Sequence, residues 1–110
     1  MQDTADALKP IFSLISKSEK ALQKVAPGTW QHSMLEANLK ALHITRALMK
    51  EGPQIKARFM QNELDDARRS MASMIAKTEE AKAKFSSGTS QHTLLRNRLS
   101  ALKAALASIN

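Results

Sequence analysis

The stretch Gly28-Thr29-Trp30-Gln31-His32-Ser33-Met34-Leu35 returns sixty residues later as Gly88-Thr89-Ser90-Gln91-His92-Thr93-Leu94-Leu95, with Gly, Thr, Gln, His and the last Leu unchanged. Carried outward without a gap, the comparison pairs residues 15–50 with 75–110, and 14 of the 36 paired positions are identical. A period of that length marks a repeated supersecondary unit. The chemistry of the stretch says which unit. A glycine that tolerates a left-handed backbone closes one helix, and a threonine hydroxyl accepts from the free amides that open the next. Each copy therefore reads as a helical hairpin turning at Gly-Thr.

Around these turns the chain is rich in Ala, Leu, Lys, Met, Glu and Gln, all good helix formers, and strand-like alternation is absent. The helix breakers fall at Pro10, Pro27-Gly28, Gly52-Pro53 and Gly88, which leaves four helical segments. The first spans about residues 4–25, with Leu8, Ile11, Ile15, Ser18, Leu22 and Val25 on one face. Pro10 threatens its start, because an interior proline removes a hydrogen bond and costs about 3 kcal/mol. The second spans about residues 30–49, with Leu35, Leu39, Leu42 and Ile44 inward. The last repeats it with a stricter seam of Leu95, Leu99, Leu102, Leu106 and Ile109, whereas Arg46 stands where Leu106 is expected.

The third segment is the odd one. Ile55, Phe59, Met60, Leu64, Ala67, Met71, Met74, Ala81 and Phe85 keep helical phase from Pro53 onward, which predicts a third helix of unusual length. An unbroken helix over residues 53–85 would overshoot the first hairpin by about ten residues, on the order of 15 Å. The two hairpins would then be staggered and the last helix short of partners, so a homodimer is expected. The competing reading places a break at Asn62, makes residues 53–61 a crossover and restores a compact bundle.

Length and composition bound the class. The chain has 110 residues, one domain by size, and no cysteine, which excludes disulfides and thiolate metal sites. No apolar run approaches the ~20 residues needed to span a bilayer, and the first six residues carry acids where a secretory leader would carry bases, so a cytoplasmic protein without a membrane role is expected. The net charge of +7 is shared between the halves, +3 over residues 1–50 and +4 over 51–110, which argues for a solvated basic surface rather than a focused stripe.

The twin turns are the candidate ligand site: Thr29, Gln31 and His32 with Thr89, Gln91 and His92 join helix amides to a hydroxyl, a carboxamide and an imidazole. That set suits a phosphate or carboxylate, since helix N-termini favour anions. The simpler reading is helix punctuation, in which the same groups satisfy the caps. In a compact bundle the two turns share an end and their histidines could cooperate. A metal is not expected: His32 and Glu36 have ligand spacing, but the equivalent pair is His92 and Arg96, and no Glu-x-x-His occurs. Catalysis is not expected either, because no Ser-His-acid order, phosphate loop or dinucleotide fingerprint is present. No cofactor is implied.

The second hairpin is richer in arginine, and Arg68, Arg69, Arg96 and Arg98 with Lys103 form a candidate polyanion site, although no aromatic side chains are interleaved for base stacking. The sequence thus points to one all-α domain over residues 1–110. Its architecture is an up-and-down four-helix bundle built from duplicated hairpins, residues 4–50 and 53–110. The expected role is a small non-catalytic interaction or regulatory protein, binding itself or another protein through helix faces. The alternative is a basic module for nucleic acid or another polyanion.

Overall fold

The computed structural model describes residues 4–110, with side chains from residue 6 onward. The acidic start that was read as lacking a leader therefore lies partly outside the described residues. Five helices follow in order: α1 (Thr4–Lys24), α2 (Trp30–Glu51), a short 3-10 helix (Pro53–Arg58), α3 (Gln61–Ala83) and α4 (Ser90–Ile109). Among the described residues there is no strand, and no helix is long and apolar enough to cross a membrane.

The helix α1 runs through Pro10 without interruption. Ala7 and Ile11, on either side of the proline, are 4% and 0% exposed, and that packing offsets the missing hydrogen bond.

The third helix is not unusually long. With 23 residues, α3 matches its neighbours of 20 to 22, and the expectation of a continuous segment from Pro53 is corrected. Two extended residues interrupt it, Phe59 (φ −111°, ψ 146°) and Met60 (φ −73°, ψ 153°). The break lies two residues before Asn62, and the device that makes it is Glu63. Its carboxylate accepts the Met60 N–H at 3.0 Å, the return half of a capping box. The apolar residues that suggested continuity serve the crossover instead: Ile55 is buried at 5% and Phe59 packs against the core, while Met60 is left 67% exposed. Because the stagger does not form, the homodimer loses the geometric premise on which it was expected. Leu95, Leu99, Leu102 and Ile109 of α4 are all buried within the chain.

Packing follows a simple pattern. The helix α2 touches α1, α3 and α4; α4 touches α1, α2 and α3; α1 and α3 do not pack on each other among the described residues. The helices α2 and α4 are therefore the central pair, and many of their most buried side chains are small: Ala41, Ala101, Ala105 and Thr45 are between 0% and 1% exposed, as are the larger Leu42 and Leu102. Small side chains let two backbones approach closely. The buried Thr45 hydroxyl stays satisfied by donating within its own helix to the Ala41 and Leu42 carbonyls, at 3.0 and 3.1 Å. No buried side-chain polar atom among the described residues lacks a partner.

The molecule measures 42 × 41 × 19 Å. The short dimension is two helix diameters of about 10 Å. An aligned bundle of such helices would have a single long axis, so the two nearly equal long dimensions mean that the helix pairs cross steeply, as two layers, rather than running alongside one another.

Candidate functional site

Both Gly-Thr turns adopt one geometry. Gly28 and Gly88 take φ of +86° and +94°, where a side chain would be strained, and Thr29 and Thr89 follow in extended backbone. The Thr29 hydroxyl donates to the Ala26 carbonyl at 2.7 Å and accepts the His32 N–H at 3.2 Å. Thr89 does the same with Ser86 and His92, at 2.8 and 3.1 Å. Each of these hydroxyls thus spends its proton and one lone pair on the cap. Gln31 and Gln91 are exposed, and the two histidines are half-buried.

Beyond the cap the copies diverge. The His32 imidazole lies 3.2 Å from the Glu36 carboxylate, whereas Arg96 occupies the position equivalent to Glu36. No hydrogen bond or ion pair joins one turn to the other among the described residues. Nor do the described residues hold any group of three His, Asp or Glu side chains suited to a metal.

The five bases of the second hairpin do not form one patch. Arg68 donates to Asp65 at 2.8 Å and to the Asn110 side chain at 2.9 Å, and Arg69 pairs with Asp66. Arg96 and Arg98 lie 12 to 14 residues before Asn110 along α4, which is about 18 to 21 Å of helix. Arg96 and Lys103, one heptad apart, share an exposed face, while Arg98 turns the other way and lies half-buried beside α1.

Among the described residues two carboxylates have clearly displaced pKa values, and both stand at the start of α3. The Met60 N–H and then Lys40 hold Glu63 below the usual glutamate range, and Gln61 followed by Arg68 does the same for Asp65. Lys40 of α2 lies 3.2 Å from Glu63. The Lys40–Glu63 pair joins α2 to α3 and the Asp65–Arg68 pair lies within α3, both at the surface, in an arrangement common to structural networks.

Sequence reasoning missed the hollows between the hairpins. One, of about 280 Å³, lies between α2 and α3 and is lined by Lys40, Glu63, Asp66, Arg69 and Ser70 with alanines. Two more, of about 350 and 270 Å³, lie between α1 and α4; they share Lys9, Pro10 and Asn97 and so form one groove. The groove and the hollow are related by the sixty-residue offset: Asp6, Lys9, Pro10, Asn97 and Ser100 occupy the places of Asp66, Arg69, Ser70, Ala37 and Lys40. The repeat was visible in sequence, but which of its surfaces become walls depends on the α1–α4 and α2–α3 crossings, and periodicity alone does not give those. No family model, curated protein or solved structure matches the chain.

Proposed function

We propose that the chain is a small helical interaction protein that binds a second copy of itself or another protein through its helix faces. The observation that carries this reading is the exposure of five large apolar side chains, Phe12, Trp30, Met60, Phe85 and Leu94, with Trp30 70% open to solvent at the first position of α2. Scattered apolar exposure is ordinary on a soluble surface, but an open tryptophan is a costly residue to leave in water and a frequent anchor in interfaces.

The architecture behind the reading is two helical hairpins derived from one duplicated unit and crossed as two layers, in place of the aligned up-and-down bundle expected from the sequence. Three things support it: helix bounds that recur to within three residues of the sixty-residue offset, two caps of the same geometry, and paired hollows with linings at equivalent positions. An opposed sense for α2 and α3 is supported by the pairs that meet, Lys40 with Glu63 and the earlier Met34 with the later Lys77.

Light scattering at micromolar concentration tests the self-binding form, and affinity capture with wild type beside Trp30→Ser tests the other. Self-association or a captured set of proteins that Trp30→Ser abolishes supports the reading. A strictly 12 kDa particle whose captured proteins are unchanged by the substitution removes it.

The polyanion reading has narrower support, because Arg68 and Arg69 are already occupied by Asp65 and Asp66. Arg96, Arg98 and Lys103 remain for it. Retention on heparin that disappears on charge reversal at these three positions, in a protein of unchanged helicity, would favour it instead.

A further inference from the structure

The two offset-related hollows differ in how their charges are used. Between α2 and α3, both bases are neutralised by acids of the same lining: Lys40 by Glu63 from the facing helix, Arg69 by Asp66 on its own helix. Between α1 and α4, Lys9 takes the place of Arg69 and Arg98 joins it from the facing helix, yet neither carries an ion pair or hydrogen bond among the described residues. Asp6, one turn before Lys9, lines the other end of the groove and makes no ion pair with it. The part of the groove that holds Lys9 and Arg98 has no acid in its lining; its remaining walls are Pro10, Ser13, Asn97 and Leu94, and Leu94 is 53% exposed.

Two unpaired cations facing each other across a hollow repel when nothing lies between them, and an anion there would remove that repulsion. The adjacent apolar surface belongs to Leu94 and Pro10, so a bare inorganic ion would leave half of the groove unused. With about 270 Å³ beside the cations and the neighbouring 350 Å³ open to it, the groove is of the size that small ligands fill. We propose that the α1–α4 groove is a binding site for a small amphipathic carboxylate, its head held between Lys9 and Arg98 and its hydrocarbon lying along Pro10 and Leu94. The arginine fork and the Asn97 carboxamide supply directed donors for the head. The site shares Leu94 with the exposed apolar residues of the protein-binding reading but not Trp30, on which the test of that reading turns, so the two fail separately.

The test is a titration of the full chain with decanoate, read by the methyl resonance of Leu94, with decan-1-ol and inorganic phosphate as separate probes. The expected result is saturable binding of decanoate, with the alcohol and phosphate each weaker by about tenfold or more, as expected when head and tail both contribute. Lys9→Gln and Arg98→Gln should each weaken decanoate binding by roughly five- to tenfold, the scale of one charge-assisted contact in a partly open site. Lys40→Gln and Arg69→Gln, in the equivalent hollow, should leave it unchanged. Because Lys9 and Arg98 hold no ion pair or hydrogen bond among the described residues, their replacement breaks none, and circular dichroism checks that the fold is kept. The absence of a saturable shift at millimolar decanoate overturns the proposal, as does equal binding of phosphate or binding indifferent to Lys9→Gln and Arg98→Gln.

Discussion

Lys40 of α2 and Glu63 in the first turn of α3 meet at 3.2 Å, and the same carboxylate accepts the Met60 N–H at 3.0 Å. One side chain thereby opens α3, tethers it to α2 and ends the extended crossover. This dual use is the reason that the helical phase of Ile55, Phe59 and Met60 does not continue into Leu64 as a single helix. The capping bond fixes the direction in which α3 leaves, and the ion pair fixes what it leaves along.

That relationship gives stability a pH dependence of known sign. A carboxylate held below its ordinary pKa in the folded state contributes stability that is fully present above the unfolded value, about 4.3, and is lost as pH falls through the folded value. Glu63 and Asp65 both behave this way. Urea midpoints measured from pH 7 to pH 3 should fall on the acid side, and Glu63→Gln should flatten the fall, because the amide keeps an oxygen for the Met60 N–H but does not titrate. A Glu63→Gln profile parallel to wild type would show that Glu63 does not contribute.

The twin caps provide a comparison within one molecule. Thr29 and Thr89 make the same pair of bonds, so Thr29→Ala and Thr89→Ala should destabilise by similar amounts, about 1 kcal/mol each. Gln31→Ala and Gln91→Ala, on exposed side chains, should stay within about 0.5 kcal/mol. Denaturant unfolding checks both. A much larger loss at one threonine than at the other would mean that its turn carries more than a cap.

Those turns also show where the sequence was informative. Gly-Thr at a helix junction is local chemistry, and local chemistry is legible: both hairpins and the burial of Leu39, Leu42, Leu99 and Leu102 follow from it. A break near Asn62 was one of two readings open in the sequence, but its place at Met60 was hidden because the signal, a glutamate three residues on, normally accompanies Ser, Thr, Asp or Asn rather than methionine. The seating of Arg46 was hidden for a different reason. It stands in the place of Leu106, and its guanidinium lies 5.5 Å from the ring centre of Phe12 on α1, a contact set by the packing of two helices. The groove at Lys9 and Arg98 depends on the same kind of long-range placement.

The Phe12 and Arg46 contact is worth measuring by a double-mutant cycle. Phe12 is 46% exposed, so a coupling of about 0.5 kcal/mol is expected from Phe12→Leu, Arg46→Met and the double variant. Arg46→Leu, which restores the residue of the second copy, should cost little, because its stem already packs on the core side. No coupling would mean that Arg46 is held by its aliphatic stem alone.

The α2–α4 crossing should be the least tolerant place in the molecule. Leu42 and Leu102 are 0% and 1% exposed beside Ala41, Ala101 and Ala105, so either Leu→Ala change should cost about 2 to 5 kcal/mol. Ala101→Leu should be as harmful from the opposite direction, since a larger side chain forces apart two backbones that small residues hold close. Thermal unfolding followed by circular dichroism reads these effects, and Leu94→Ala, on a side chain 53% exposed, serves as the lenient control.

Met60 offers the reverse case, a position where the natural residue is poor at its job. It is the N-cap of α3, in the extended geometry that a cap requires, yet its side chain supplies no hydrogen bond and stands 67% exposed. Met60→Ser would offer the Glu63 N–H, which now donates to the Met60 carbonyl at 3.0 Å, a side-chain acceptor as well, and complete the capping box that Glu63 half builds. The expected gain is about 0.5 to 1 kcal/mol, seen as a higher urea midpoint with an unchanged slope. Little burial is lost in exchange. If the variant is more stable but captures fewer partners than wild type, the methionine is kept for its exposed surface, in line with the interaction reading; if it is less stable, the cap geometry at Met60 is wrong.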